Sequence, residues 1–225
     1  MYLVGLTGGI STGKSTAVKT LRNRGITVID ADELARDVVK PGELAYNQLR
    51  KIFGNEFFDE ETGELNREKL SAVVFEDSKK RSQLNSVTHP AVGKAMFKQI
   101  ISHLFKGDKF VVLDIPLLFE SGAHRFVQKT IVVHCDEEKQ LERLMKRDTV
   151  DEKVAKSRIA AQMPLKDKME RATYLIDNNH GKEEAEKQIN KIADELENSW
   201  LPLIIRSVFG IFLGFLILSI LKIVF

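Results

Sequence analysis

The chain has 225 residues, with 34 Lys and Arg against 32 Asp and Glu and a formal charge of +2. That length suits one enzyme-sized domain with something added, and the interspersed charges exclude the basic stripe of a nucleic-acid-binding surface, so no nucleic-acid partner is expected. The single cysteine, Cys135, cannot close an internal disulfide, and the five histidines are scattered without a second His or Cys at ligand spacing, so any metal is expected to arrive with a ligand.

Tyr2 to Leu6 is an apolar run predicted as a short buried strand, and Ser15 to Arg24 carries Ala17, Val18 and Leu21 at helical spacing. Between them, Gly8-Gly9-Ile10-Ser11-Thr12-Gly13-Lys14-Ser15 has the phosphate-loop pattern of Gly, four residues and Gly-Lys-Ser, and Thr16 follows it. Glycines lacking Cβ let successive backbone N–H groups curl around an anion, and the following helix adds its positive end. Lys14 supplies a mobile charge, and Ser15 offers a hydroxyl to Mg²⁺. A triphosphate with Mg²⁺ is the expected occupant. The first residues run straight into this loop, so no secretory signal is expected.

Ile26 to Ile29 is a second apolar run, followed at once by Asp30-Ala31-Asp32. Strand alternation there would aim both carboxylates together with Ala31 turned away. Asp32 is the favoured base or orienter for an attacking hydroxyl, with Asp30 as a structural or metal-linked neighbour; Asp32 would also cap a helix starting at Glu33. From Glu33 to Phe105 the pattern is helical, with turn signals at Pro41-Gly42, Thr62-Gly63 and His89-Pro90. This reads as a helical insertion over about 33–105 that holds the acceptor.

Phe110 to Leu113, Thr130 to His134 and Tyr174 to Ile176 supply three more strands, and Asp136 reads as the N-cap of a helix reaching about Arg147. The alternation predicts an α/β fold: a five-stranded, mostly parallel sheet in three layers, with ligands at the carboxyl ends of the strands. Arg143 and Arg147 share a helix face and repel unless an anion lies between them. Arg158 and Gln162 share a face in a polar helix ending at Pro164, which reads as a lid over about 148–165; for Arg158 an exposed helix charge is the competing reading. Asp114, ending the third strand, is a secondary candidate for holding Mg²⁺.

Lys182 to Asn198 is a charged amphipathic helix, and from Leu201 the chain turns apolar on all sides. Val208 to Phe225 would span about 27 Å as a helix, close to the roughly 30 Å hydrocarbon core of a bilayer. Residues 203–225 are therefore expected to form a C-terminal transmembrane anchor, with Trp200 and Arg206 at the interface and Lys222 snorkelling. Gly210 and Gly214 form a small-xxx-small pair permitting weak homo-oligomerisation. With few residues after the span, the domain before it is expected to face the cytosol, the choice between membranes such as the mitochondrial outer membrane and the endoplasmic reticulum staying open.

Several segments together resemble one family. Leu6-Thr7-Gly8-Gly9-Ile10 with Gly13-Lys14-Ser15, Val28-Ile29-Asp30-Ala31-Asp32 with Ala35-Arg36, Thr88-His89-Pro90, Pro116-Leu117-Leu118-Phe119-Glu120, Gln140-Leu141 with Arg143 and Arg147, and Ile176-Asp177-Asn178-Asn179 stand in the order and spacing of the dephospho-coenzyme A kinases. The resemblance implies a P-loop kinase domain over 1–198 that uses ATP and Mg²⁺ to phosphorylate the ribose 3′-hydroxyl of dephospho-CoA. It implies Thr7 and Asp32 at the reacting centre, Arg143 on the transferring phosphate, Arg36 and His89 near the acceptor, and Asn178 and Asn179 beside the adenine; Lys14 joins the catalytic candidates, Arg147 the nucleotide-binding ones, and Leu117 and Arg158 the acceptor-binding ones. The apolar tail resembles the membrane-anchored eukaryotic dephospho-CoA kinase domain proteins. A membrane-tethered ATP-binding scaffold without turnover and another small-molecule P-loop kinase are the alternatives.

Overall fold

The five apolar runs are all strands in the computed structural model, which describes residues 1–202. They are β1 (Tyr2–Gly8), β2 (Val28–Asp30), β3 (Phe110–Asp114), β4 (Lys129–His134) and β5 (Tyr174–Asp177), in the order β2-β3-β1-β4-β5. β1 pairs in parallel with β3, from Tyr2 opposite Phe110 to Leu6 opposite Asp114, and with β4, from Val4 opposite Lys129 to Gly8 opposite Val133. β4 pairs in parallel with β5. Central parallel strands bury both faces, which is why β3 is apolar up to its final Asp. The chain leaves β1 for β2 at one edge and later crosses from β3 over β1 to β4 on the other side, so a ligand crevice is expected at the carboxyl end of β1.

The chain divides into two units: Met1–Ile29 with residues from His103 onward, and Asp30–Ser102. In the first, alternate residues Tyr2, Val4 and Leu6 of β1 join Val112, Ile131, Val133 and Ile176 on one sheet face. Two helices cover that face. α1 (Lys14–Asn23) contributes Ala17, Val18 and Leu21, and α9 (Lys182–Glu197) contributes Ala185, Ile189, Ile192, Ala193 and Leu196, a spacing that keeps one helical stripe inward. The Tyr2 hydroxyl donates to the Leu196 carbonyl at 2.8 Å, and burial pushes this phenol up to about 12. Arg24 reaches Asp194 at 2.6 Å and Glu197 at 3.1 Å. On the other face, Gly5 leaves a notch for Leu118: a Cβ there would lie 2.6 Å from Leu118 Cδ2.

The second unit is helical, as expected, with α2 (Ala31–Asp37), α3 (Leu44–Phe53), α4 (Arg67–Glu76) and most of α5 (Ser78–Lys106). Its core gathers Val38, Val39, Ala45, Tyr46, Leu49, Phe53, Phe57, Phe58 and Leu70, with Tyr46 edge-on to Phe58 at 5.1 Å. Gly42 and Gly63 take left-handed turns at φ 95° and 70°, as their Pro-Gly and Thr-Gly signals predict. The third signal fails, because Pro90 lies inside α5. A proline inside a helix costs about 3 kcal/mol through its missing N–H and its ring clash. Leu84, Val87, Ala91 and Ala95 nevertheless keep helical spacing through it and pack, partly buried, on this core, which offsets the break.

Two capping expectations also change. The helix after β2 starts at Ala31, so Asp30 is its cap and accepts from the amides of Asp32 at 2.8 Å and Glu33 at 3.1 Å. Strand alternation therefore stops at Asp30, and Asp32 stands exposed in the first helical turn instead of paired with it. The helix after β4, α6 (Glu137–Asp148), does begin beyond Asp136, but that side chain makes no capping bond. It accepts from Asn179 Nδ2 at 3.0 Å.

The seam between α1 and α9 gives a direct test. Ile189→Ala should cost about 2–5 kcal/mol in chemical denaturation, whereas exposed Lys191→Ala should stay within about 0.5 kcal/mol.

Candidate active site

β1 ends at Gly8 and α1 begins at Lys14, so the loop between them must reverse the chain within a few residues. It does so through left-handed backbone at Ser11, φ 59°, and at Gly13, φ 96°, the latter serving as the N-cap of α1. No side chain caps this helix, so its first turn faces the loop with backbone donors and the positive dipole end. Inside the loop, Thr12 is fully buried and its hydroxyl donates to the Gly9 carbonyl at 2.9 Å. Ser15 is exposed and Thr16 half-buried in the first turn of α1.

Three amides from elsewhere in the same unit hold the loop. Ile10 donates its N–H to Gln162 Oε1 at 2.9 Å, and its carbonyl accepts from Gln140 Nε2 at 2.8 Å. Asn178 Nδ2 donates to the Thr12 carbonyl at 2.8 Å. This packing fixes the glycines as firmly as the turn does: a Cβ at Gly9 would lie 2.6 Å from Gln140 Nε2, and one at Gly13 would lie 2.0 Å from Asn178 Nδ2. Asn178, expected beside an adenine, is thus a buried brace on the loop. Asn179 pairs with Asp136 in both directions, its Oδ1 accepting from the Asp136 amide at 2.9 Å.

The cations read as phosphate ligands each sit on a protein acceptor. Lys14 Nζ lies 2.5 Å from Asp114 Oδ1, and Asp114 is 2 % exposed at the end of β3, next to Leu6 in the register. Arg143 Nη2 donates to the Asn178 carbonyl at 3.0 Å, while its Nη1 is buried with no hydrogen-bond partner among the described residues. Burial pushes the neighbouring Cys135 thiol up, against the opposing charge of Arg143. Arg147 turns away from Arg143 to Asp148, 2.7 Å from Nε, and Arg158 takes the other oxygen of that carboxylate. The two guanidiniums thus rest on different protein acceptors. The hydrogen bond from Arg147, reinforced by its charge and by Arg158, holds the Asp148 carboxyl below the usual range.

Thr7 is buried, its hydroxyl donating to the Pro116 carbonyl at 2.8 Å, so it ties β1 to the segment after β3. In that segment Leu118 is buried and Leu117 is 46 % exposed. The proposed lid contains α7 (Glu152–Ala160), capped by the Asp151 carboxylate, and it leads through Pro164 into α8 (Leu165–Glu170). In the helical unit, Asp32, Arg36 and His89 are exposed, and the Arg36 carbonyl accepts from Arg67 at 3.0 Å. A cavity of about 680 Å³ in that unit is lined by Leu34, Val38, Val87, Pro90, Lys94 and Lys98 among others, and not by Arg36 or His89.

Sequence reasoning missed Lys168, Glu120 as its partner, and the loop contacts of Gln140 and Gln162. Lys168 is 0 % exposed, with Nζ 2.8 Å from Glu120 Oε1 and 3.4 Å from the Gly8 carbonyl. Burial works to raise the Glu120 carboxyl, but the Lys168 hydrogen bond, then backbone N–H bonds including that of Met163, bring it below the usual range. Among the described residues no group of three His, Cys, Asp or Glu is placed to hold a metal ion.

Gly13→Ala combines a positive φ with the 2.0 Å clash on Asn178, and should weaken ATP binding by at least about tenfold in calorimetric titration.

The dephospho-CoA kinase family model matches residues 2–184. The chain is 48% identical over 186 residues to a dephospho-CoA kinase from Geobacillus kaustophilus, covering 83% of this chain and 92% of that one. It is 45% identical over 209 residues to a dephospho-CoA kinase domain-containing protein from Danio rerio, covering 92% and 91%. The solved dephospho-CoA kinase from Campylobacter jejuni superposes with a TM-score of 0.67 at 27% identity, covering 86% of this chain and 96% of that one. With a phosphate loop of this geometry at the carboxyl end of β1 and a family match over most of its length, the chain belongs to the dephospho-CoA kinase family.

Proposed function

We propose that this chain transfers the γ-phosphoryl group of ATP to the ribose 3′-hydroxyl of dephospho-CoA, giving CoA in the last step of coenzyme A synthesis. The observation that carries the reading is the loop from Gly8 to Ser15, turned left-handed at Ser11 and Gly13 and braced from three sides, in a chain of this family. Phosphoryl transfer asks little covalent chemistry of the protein, and catalysis rests on positioning and charge stabilisation. The loop amides with Gly9, Ile10, Thr12 and Thr16 would seat the β- and γ-phosphates, and Lys14, positioned by Asp114, would neutralise the group in transfer. Arg143, with a buried guanidinium nitrogen lacking a partner among the described residues, supplies a second donor. Asp32 is the proposed orienter of the acceptor hydroxyl, and Arg36, His89 and Leu117 the proposed acceptor contacts.

The cavity lined by Leu34, Val87, Pro90, Lys94 and Lys98 in the helical unit joins apolar walls with two ammonium groups, chemistry that suits an acceptor with an uncharged arm and phosphates. Mg²⁺ would take the Ser15 hydroxyl together with phosphate and water, with Asp114, which pairs with Lys14 at 2.5 Å, as a secondary oxygen donor. When bound it would neutralise charge on the phosphates. Arg147 and Asn179 are the proposed nucleotide-side residues, and Arg158, in the lid, a proposed acceptor-side residue. Residues 203–225 lie outside the described residues, and their apolar composition supports the proposal of a membrane anchor with the kinase domain facing the cytosol.

ADP formation by the full chain should depend on dephospho-CoA and not on nucleoside monophosphates; absence of acceptor-dependent ADP would overturn the reading. Asp32→Asn should lower kcat about 10²- to 10⁴-fold with ATP affinity retained. The full chain should remain with membranes after an alkaline carbonate wash, and a form lacking 203–225 should be released.

A further inference from the structure

We propose that Lys168 and Glu120 form a positioning pair that sets the entry of the phosphate loop and so its affinity for ATP, an inference that rests on the kinase reading above. Lys168 is the one lysine among the described residues with no exposure at all. Burying an ammonium costs several kcal/mol unless it is paired, and an apolar pair of similar volume would often serve stability as well or better. Filling space therefore does not explain the buried ammonium or the carboxylate, 22 % exposed, that meets it. Their contacts do, because they converge on the loop.

Lys168 Nζ donates to Glu120 Oε1 at 2.8 Å and to the Gly8 carbonyl at 3.4 Å, where β1 gives way to the loop. Glu120 Oε1 also accepts the Met163 N–H at 3.0 Å. The residue before Met163 is Gln162, whose Oε1 holds the Ile10 N–H at 2.9 Å. The stretch from Gln162 to Lys168 is thus strapped to the loop at both ends, at Ile10 and at Gly8, and Glu120 secures both ends at once. A trans peptide is planar, so its C=O and N–H point in opposite directions. Fixing the Gly8 carbonyl and the Ile10 N–H therefore fixes two consecutive peptide planes. The Gly9 carbonyl lies opposite the Ile10 N–H, where Thr12 donates to it. The turn toward Ser11 and Gly13 starts from these planes.

The test is ATP titration by calorimetry on the full chain, with dephospho-CoA turnover measured alongside. Lys168→Met should weaken ATP binding about tenfold, the loss expected for a charge-assisted hydrogen bond at the loop, while KM for dephospho-CoA stays within twofold. The double variant Lys168→Met with Glu120→Gln removes both charges; it should recover Tm to within a few degrees of the unaltered chain yet keep the weakened ATP affinity. Recovery of ATP affinity to within twofold in a stable double variant would show that the pair only packs, and would overturn the proposal. So would failure of both variants to fold, or an equal change in KM for dephospho-CoA. Lack of dephospho-CoA turnover by the unaltered chain would remove the kinase reading and leave the ATP titrations interpretable.

Discussion

A strand that stops at Gly8 and a helix that starts at Lys14 impose one demand on the molecule: the residues between must hold a single, sharply turned shape. The turn alone does not secure it, since glycines are free in the unfolded chain and lose more entropy than other residues on folding. The side chains of Asn178, Gln140, Gln162 and Lys168 reach in and take the peptide groups of Thr12, Ile10 and Gly8. They come from α6, α8, the end of the lid segment and the residue after β5. The sheet order that places β4 beside β1 and β5 beside β4 is what brings them there.

Electrostatics around the loop follows one pattern. Lys14 rests on Asp114, Arg147 and Arg158 rest on Asp148, and Lys168 rests on Glu120. Each cation is held by a carboxylate, but the settings differ. Asp148 is shared by two largely exposed arginines, where solvent screening leaves little net energy. Lys168 is out of solvent while the Glu120 side chain is 22 % exposed, so removing Glu120 would strand a buried ammonium. Arg143 differs again, with one nitrogen on a backbone carbonyl and the other buried and unmatched among the described residues.

The sheet was legible because parallel strands buried on both faces are continuous apolar runs, and the loop was legible because its chemistry depends on residue type at fixed spacing. Helical residues were harder to read. Pro90 looked like a stop because local propensity cannot see the core against which Leu84, Val87, Ala91 and Ala95 pack. Asp30 and Asp32 looked like a matched pair because strand periodicity was carried one residue too far. Lys168 gave no signal at all: in Leu165-Lys166-Asp167-Lys168-Met169-Glu170 it is indistinguishable from exposed Lys166 until tertiary contacts bury one and not the other. Gln162 was noticed only as a neighbour of Arg158 on a helix face, and its amide contact with Ile10 depends on a fold that spacing does not encode.

The contact between the Tyr2 hydroxyl and the Leu196 carbonyl joins groups 194 positions apart. During synthesis, β1 leaves the ribosome first, yet its neighbours β3 and β4 and its covering helix α9 all come more than a hundred residues later. The unit that carries the phosphate loop is thus assembled from segments on either side of Asp30–Ser102, which emerges in between with its own hydrophobic cluster. Long-range strand pairing of this kind closes late and slowly, so a ribosome-bound intermediate would expose an apolar Tyr2-to-Leu6 segment awaiting its partners, a natural client for a chaperone.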